Sequence, residues 1–285
     1  MNCNLCTRVR KGRCCPSGSP HAAQRLALRA LNKRQVILEE KYLVLSDIHG
    51  NVSAFDSVMN DCAGENFAGV ILLGDLIDYG MRSNEIVRKL IELEAGDWKN
   101  KIIVNIWGNH EKLVVDKDLE RLSSDRGRVM AKYTARQLSD ESVQYIRQSM
   151  NKAGIQEFVM GGLKCLAVHG SLEDNYWKAI GPQNLRGEYA DYDMVFGGHS
   201  HYSHVFTHFY PVENPELRNK KAVIFINPGS VGQPRNQNPY AQYAVVTLPS
   251  KRVELRAVEY DVKYEQSLYP DEIDAFYKTR LTRGV

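Results

Sequence analysis

The stretch Tyr42-Leu43-Val44-Leu45-Ser46-Asp47-Ile48-His49-Gly50-Asn51 decides the reading of this 285-residue chain. Four apolar residues in a row, bounded by polar ones, predict a short strand buried on both faces. Ser46 and Asp47 then open a polar loop at the end of that strand. Downstream, residues 51–62 have helical spacing, with Val52, Phe55, Val58 and Met59 on one side. Gly69-Val70-Ile71-Leu72-Leu73 predicts a second buried strand that ends at Gly74-Asp75. Residues 84–94 predict a helix with Ile86, Val87, Leu90, Ile91 and Leu93 as its core face, and 101–107 a third strand ending at Gly108-Asn109-His110. Strand, helix, strand, helix, strand at this pitch opens a parallel α/β fold.

Further along, residues 113–152 read as helix in two or three pieces, broken near 125–127 and 139–140. Strands follow at 157–160, 163–168, 194–196, 205–209, 222–226, 243–248 and 253–258, and a helix at 271–281 closes the chain. So many strands in the last third predict a second sheet packed on the first. Apolar residues make up 43% and charged residues 25%, ordinary globular usage, which excludes a disordered or collagen-like chain. No run of apolar residues reaches the length of a membrane span.

Charge divides the chain unevenly. Residues 1–38 hold eight basic residues (Arg8, Arg10, Lys11, Arg13, Arg25, Arg29, Lys33 and Arg34) and no acidic one. The overall charge of +3 therefore hides a main body of −5. A body of that sign offers no broad footprint for nucleic acid, so no such partner is expected. Residues 1–40 read as a basic extension, disordered or targeting, and residues 41–285 as the functional domain. Cys3, Cys6, Cys14 and Cys15 lie in the extension; Cys3-x-x-Cys6 has zinc-ligand spacing, but adjacent Cys14-Cys15 makes a poor second pair. Only Cys62 and Cys165 occur in the body, which fits a reducing compartment. The expected location is cytoplasmic, with organellar targeting by the Arg-rich, acid-poor tail as the alternative.

The chemistry sits at the strand ends. Asp47-Ile48-His49, Asp75-Leu76-Ile77-Asp78, Asn109-His110-Glu111, His169-Gly170 and His199-Ser200-His201 each follow an apolar strand. In open α/β sheets ligands gather at the carboxyl ends of strands, so these five loops are expected to share one crevice. Five of the eight histidines fall there, while His21, His204 and His208 do not. A donor set of Asp, Asn and His without Cys suits a pair of divalent transition metals such as Mn, Fe or Zn. The i, i+2 spacing of Asp47/His49 and of His199/His201 would aim both side chains to one side of an extended backbone.

These strings resemble the calcineurin-like metallophosphoesterase superfamily: SDIHGN (46–51), GDLID (74–78), GNHE (108–111), VHGS (168–171) and GGHSH (197–201). INPGSVGQPR (226–235) resembles the tail loop of its small bacterial phosphodiesterase-like members. The resemblance runs from Tyr42 to the C-terminus. It implies a four-layer α/β/β/α sandwich of two mixed sheets flanked by helices. It further implies two divalent transition metal ions, Mn first, with Fe, Zn or Ni as alternatives. Asp47, His49 and His201 would hold one ion, Asn109, His169 and His199 the other, and Asp75 would bridge both. A water between the ions, deprotonated near neutral pH, would attack phosphorus in line. His110 would serve the leaving oxygen, oriented by Asp78.

The substrate is less legible. Where the protein Ser/Thr phosphatases carry phosphate-gripping arginines after GDxxD and before GNH, this chain has Tyr79 and Trp107. Arg235 is the candidate replacement. The reading is a phosphoesterase acting on a phosphodiester or a small phosphorylated metabolite. A Ser/Thr-type phosphoprotein phosphatase and a dinucleoside polyphosphate hydrolase are the alternatives. A non-catalytic interaction scaffold, as in a retromer subunit of similar fold, is the alternative of another class; that relative lacks the GNH histidine, which is present here as His110. The oligomeric state has no signature in the sequence.

Overall fold

The computed structural model describes residues 39–122 and 124–285. The expectations for residues 1–38, including the Cys3/Cys6 spacing, lie outside the described residues. Strand β1 (Glu40–Leu45) is followed by α1 (Val52–Asp61), β2 (Phe67–Leu72), α2 (Ser83–Ala95) and β3 (Ile102–Asn105). Three helices come next, α3 (Asn109–Val115), α4 (Asp125–Gln137) and α5 (Asp140–Ser149). Strands β4 (Ile155–Met160), β5 (Leu163–Val168), β6 (Met194–Gly197), β7 (His204–Pro211), β8 (Lys220–Asn227), β9 (Ala241–Leu248) and β10 (Arg252–Val258) make up most of the remainder. Two short helices, α6 (Val262–Ser267) and α7 (Ala275–Arg280), end the chain.

Two five-stranded mixed sheets result, ordered β10-β9-β1-β2-β3 and β4-β5-β6-β8-β7. In the first, β1, β2 and β3 are parallel, with β9 antiparallel to β1 and β10 to β9. In the second, β5, β6 and β8 are parallel, with β4 and β7 antiparallel at the edges. The alternation along β1 explains the sandwich. Tyr42 and Val44 face the second sheet and meet a layer containing Cys165, Ala167, Phe196 and Ile226. Leu43 and Leu45 face the other way, into a core with Phe55 and Val58 of α1 and Val87 and Leu90 of α2. Both faces are dry, so the strand reads as an unbroken apolar run. A third core, with Leu166, Val195 and Phe225, backs the second sheet and is closed by Tyr189 and Tyr192. That outer layer is built of 3-10 turns, Pro182–Asn184 and Gly187–Asp191, where the other face of the sandwich has α-helices.

Several boundaries differ from the sequence reading. Strand β3 is four residues long, since Ile106 makes only an isolated bridge to Asn151. The GNHE segment, read as a loop, begins α3 at Asn109. Strands β9 and β10 return to the first sheet and do not join the second. The last helix is shorter than 271–281, and α6 was not foreseen; its six residues are too few to show a periodicity.

Candidate metal centre

The two parallel triplets, β1-β2-β3 and β5-β6-β8, deliver their carboxyl-terminal loops to one edge of the sandwich. The loops are tied together by the main chain. Asp47 N donates to Gly74 O at 3.1 Å, His49 N to Asp75 O at 2.9 Å, and Gly232 N to Asp47 O at 3.0 Å. Ser230 Oγ donates to the same Asp47 carbonyl at 2.7 Å, linking the loop after β8 to the loop after β1. Gly74 (φ +89°) and Gly108 lie where two loops touch; a Cβ on Gly108 would collide with the Asp75 carboxylate.

Seven non-glycine residues of these loops are left-handed: Asp47, His49, Asp75, Asp78, Tyr79, His199 and His201. Each costs on the order of 1–2 kcal/mol against the right-handed basin, less for Asp. The i, i+2 pairs are therefore not extended, as the spacing had suggested. Asp47 and His49 still converge, at 3.8 Å, because both residues kink the same way. His199 and His201 diverge into separate clusters.

Donor atoms of Asp47, His49, Asp75 and His201 all lie within 4.8 Å of one another, and so do those of Asp75, His169 and His199. Asp75 belongs to both groups. His201 Nε2 is 3.0 Å from Asp47 Oδ1, and His169 Nε2 is 3.4 Å from Asp75 Oδ2. Asn109 Oδ1 completes the second group, 3.0 Å from His169 Nε2 and 2.9 Å from His199 Nδ1.

Hydrogen placement follows from the carbonyls behind the rings. His49 Nδ1 faces Ile77 O, His169 Nδ1 faces Leu73 O, and His201 Nδ1 faces Gln233 O. A carbonyl only accepts, so each Nδ1 carries a hydrogen, and each Nε2 presents a lone pair inward when its ring is neutral. Two of those lone pairs, on His49 and His201, face each other at 3.2 Å. Asp47 Oδ1 and Asp75 Oδ2 are buried without a hydrogen-bond partner among the described residues. Lone pairs and carboxylate oxygens crowded without donors repel; a cation between them removes the conflict. The residues present thus fit a pair of divalent ions, as O/N donors in two sets sharing one carboxylate.

The charge states follow the same geometry. Burial opposes ionisation of Asp47, but neighbouring His201 outweighs it and holds the carboxyl below its usual range. Burial likewise opposes ionisation of Asp75, and His169 and His110 hold it well below. Burial and the nearby His110 keep His49 neutral, and burial with His169 lowers His199 to about 4. His110 behaves oppositely. Burial disfavours its charge, yet Tyr79, Asp75 and the Asp78 contact raise it to about 10. Its Nδ1 sits 2.7 Å from Asp78 Oδ2, while Thr134 Oγ1 donates to Asp78 Oδ1 at 2.6 Å.

The site residues read from the motif loops therefore reach this edge: the seven donors together, the His110–Asp78 pair beside them, and Arg235 one residue layer away. The Arg235 guanidinium is 6.0 Å from the Tyr79 ring, whose own centroid is 4.3 Å from that of His110. Sequence reading missed Glu111, Thr134 and the packing role of Tyr79. Fully buried Glu111 accepts from Asp75 N, Leu76 N and Gly108 N at 2.9, 2.8 and 2.7 Å, clamping α3 to the loop after β2. Burial and then Asp75 push its carboxyl up to about 7. Glu111 stood in the GNHE string and so carried a signal; Thr134, far along the chain, carried none. A cleft of about 800 Å³ lies elsewhere, between the ends of α1 and α2, and its lining residues include no histidine.

Residues 41–251 match the family model of the calcineurin-like phosphoesterase superfamily domain. The chain belongs to that superfamily. An uncharacterised protein of Methanocaldococcus jannaschii is 26% identical over 223 residues, 77% of this chain and 88% of that protein. Among solved structures, a metallophosphoesterase from Sphaerobacter thermophilus superposes with a TM-score of 0.62 at 27% identity, covering 87% of this chain and all of that one. A hypothetical protein from Pyrococcus horikoshii OT3 gives 0.68 at 19% identity, covering 86% of this chain and 98% of that one, a likeness of fold. The calcineurin-like domain accounts for the two-sheet sandwich and for the five motif loops. No helix of the described residues is long and apolar enough to cross a membrane.

Proposed function

We propose that this calcineurin-like domain is a binuclear metal-dependent phosphoesterase that hydrolyses a phosphodiester or a small phosphorylated metabolite. The observation that carries the reading is the pair of orphaned carboxylate oxygens, Asp47 Oδ1 and Asp75 Oδ2, surrounded by inward Nε2 lone pairs. Asp47, His49 and His201 would hold one ion and Asn109, His169 and His199 the other, with Asp75 between them; Mn is the favoured metal. Bound there, two divalent ions would neutralise phosphoryl oxygens and acidify a water for attack. The chain's own contribution is positioning and proton transfer. Backbone hydrogen bonds between the donor loops would position the site in advance, so that it needs little rearrangement as charge builds. Asp78 keeps the hydrogen on His110 Nδ1, which leaves Nε2 as the atom that hands a proton to the departing oxygen. Arg235 would meet a phosphate oxygen from the rim. The net charge of −5 outside the tail argues against a polynucleotide substrate.

A hydrolysis panel with added Mn²⁺ tests this, comparing bis-p-nitrophenyl phosphate, p-nitrophenyl phosphate, a dinucleoside polyphosphate, cyclic nucleotides and a phosphopeptide. Metal-dependent turnover of a small ester well above that of the phosphopeptide is expected. Metal binding without turnover of any ester would favour the scaffold reading.

A further inference from the structure

His204 and His208, which the metal centre leaves unused, lie on β7, whose string His204-Val205-Phe206-Thr207-His208-Phe209-Tyr210-Pro211 contains no Lys, Arg, Asp or Glu. Strand β7 is an edge of the second sheet, and among the described residues β8 is its only strand partner. An unpaired edge offers a row of free N–H and C=O groups, which proteins usually blunt with charges, brevity or cover. The other three edges are blunted. Strand β10 carries Arg252, Glu254 and Arg256, and β3 is four residues long. Strand β4 carries Glu157 and is tied to β3 by Gln156 Nε2, which donates to Ile103 O at 2.9 Å. Strand β7 runs for eight residues, with Pro211 only at its far end.

One face of β7 is anchored. Phe206 stacks on Phe225 of β8, with ring centroids 4.9 Å apart and planes inclined 8°, and Tyr210 is buried in the third core. The other face, made of Val205, Thr207 and Phe209, is open; Val205 is 39% and Phe209 58% exposed. Tyr202, just before the strand, is 50% exposed, and Leu217, in the turn after it, 48%. Four of the ten exposed large apolar side chains among the described residues thus fall within residues 202–217. An aromatic side chain carries on the order of 200 Å², so Tyr202 and Phe209 bring about 100 Å² each, and Val205 with Leu217 raise the patch to roughly 300 Å². A standard interface takes about 800 Å² from each partner, a little over half of it apolar. These four side chains supply the larger part of that apolar share.

We propose that β7 is a dimer interface: two copies pair β7 against β7, antiparallel, about a two-fold axis at Thr207, which joins their second sheets into one. The occupant of this edge is a second copy because the string has the same character read from either end, as an isologous contact requires. About that axis Val205 meets Phe209 of the partner subunit, Phe206 meets the partner's His208, and His204 meets the partner's Tyr210. Each pair joins an aromatic ring to a β-branched side chain or to another ring, combinations that favour cross-strand pairing. No Lys, Arg, Asp or Glu enters the seam. The same axis carries the partner's 212–219 loop past Tyr202, the residue after His201. The dimer therefore borders the mouth of the metal centre in each copy, and it forms whatever reaction that centre performs.

Analytical ultracentrifugation of the full chain tests this, and wild type should sediment at twice the chain mass of 32.4 kDa. Thr207→Lys sets two ammonium groups opposite each other on the axis, and Phe209→Lys removes the aromatic half of two cross-strand pairs. Both positions are exposed in the single chain, so each variant should keep its fold, checked by circular dichroism. Each should raise the dimer dissociation constant by about tenfold or more. Val159→Lys, on edge strand β4 at a residue 71% exposed, should stay as dimeric as wild type. Wild type that sediments as a single chain at about 100 μM overturns the proposal. A dimer left unchanged by both Thr207→Lys and Phe209→Lys uses another face and overturns it too, as does one that Val159→Lys weakens equally. If Thr207→Lys does not fold, Phe209→Lys alone decides.

Discussion

Among the described residues Asp75 is the one side chain shared by both donor clusters, and its Oδ2, without a hydrogen-bond partner there, is where the account is most exposed. Asp75→Asn should leave less than two ions per chain and lower turnover more than any other single donor change, by about 10³-fold or more. Metal analysis and kcat on the purified variant check it; two retained ions with near-normal turnover would remove Asp75 from the bridge. His110→Ala should keep both ions and slow hydrolysis by about 10²–10⁴-fold for an alkyl ester, much less for a nitrophenyl ester. Equal losses on the two esters would give His110 another role, and lost metal would make it a ligand. At this scale the histidines and aspartates were legible because each follows an apolar strand that could be read directly. Thr134 was not, because it meets the site only through a helix packed there by tertiary contacts. Glu111 was visible in GNHE, but its partners are main-chain amides, which have no sequence signature.

Between residue and molecule stand the loops, and Glu111 is the clamp between two of them. Replacing it by Ala would leave three buried N–H groups without an acceptor, at about 3 kcal/mol or more in total. Urea denaturation of Glu111→Ala should show that loss together with weaker Mn binding. A stability within 0.5 kcal/mol of wild type would mean water replaces the carboxylate. Strands β1 and β2 were legible as unbroken apolar runs because both of their faces are buried. Helix α3 was not, because its first turn is the polar string Asn109-His110-Glu111, which reads as loop until tertiary contacts bury all three. The left-handed turns were equally hidden. Asp and His tolerate that basin, but only the crowding at the centre requires it.

For the whole molecule, the site exists because two parallel triplets from different sheets end at the same edge, joined there by the Ser230–Asp47 bond. The second sheet was legible in the strand-rich later part; the return of β9 and β10 to the first sheet was not, since pairing partners over such separations leave no local trace. Asp47 Oδ1 and Asp75 Oδ2 lack a protein partner among the described residues, so metal should stabilise the entire sandwich. Adding Mn²⁺ at about a hundred times its dissociation constant to chelator-treated protein should raise Tm by about 5–10 °C, checked by calorimetry. A Tm indifferent to Mn²⁺ would mean that the native fold does not prefer the bound ion.

The most direct measurement is the number of ions bound. Chelator-treated wild-type protein, dialysed to equilibrium against Mn²⁺ and analysed for metal by mass spectrometry, should carry two ions per chain. Protein that returns from that dialysis with one ion, or none, would contradict the binuclear centre on which the account rests.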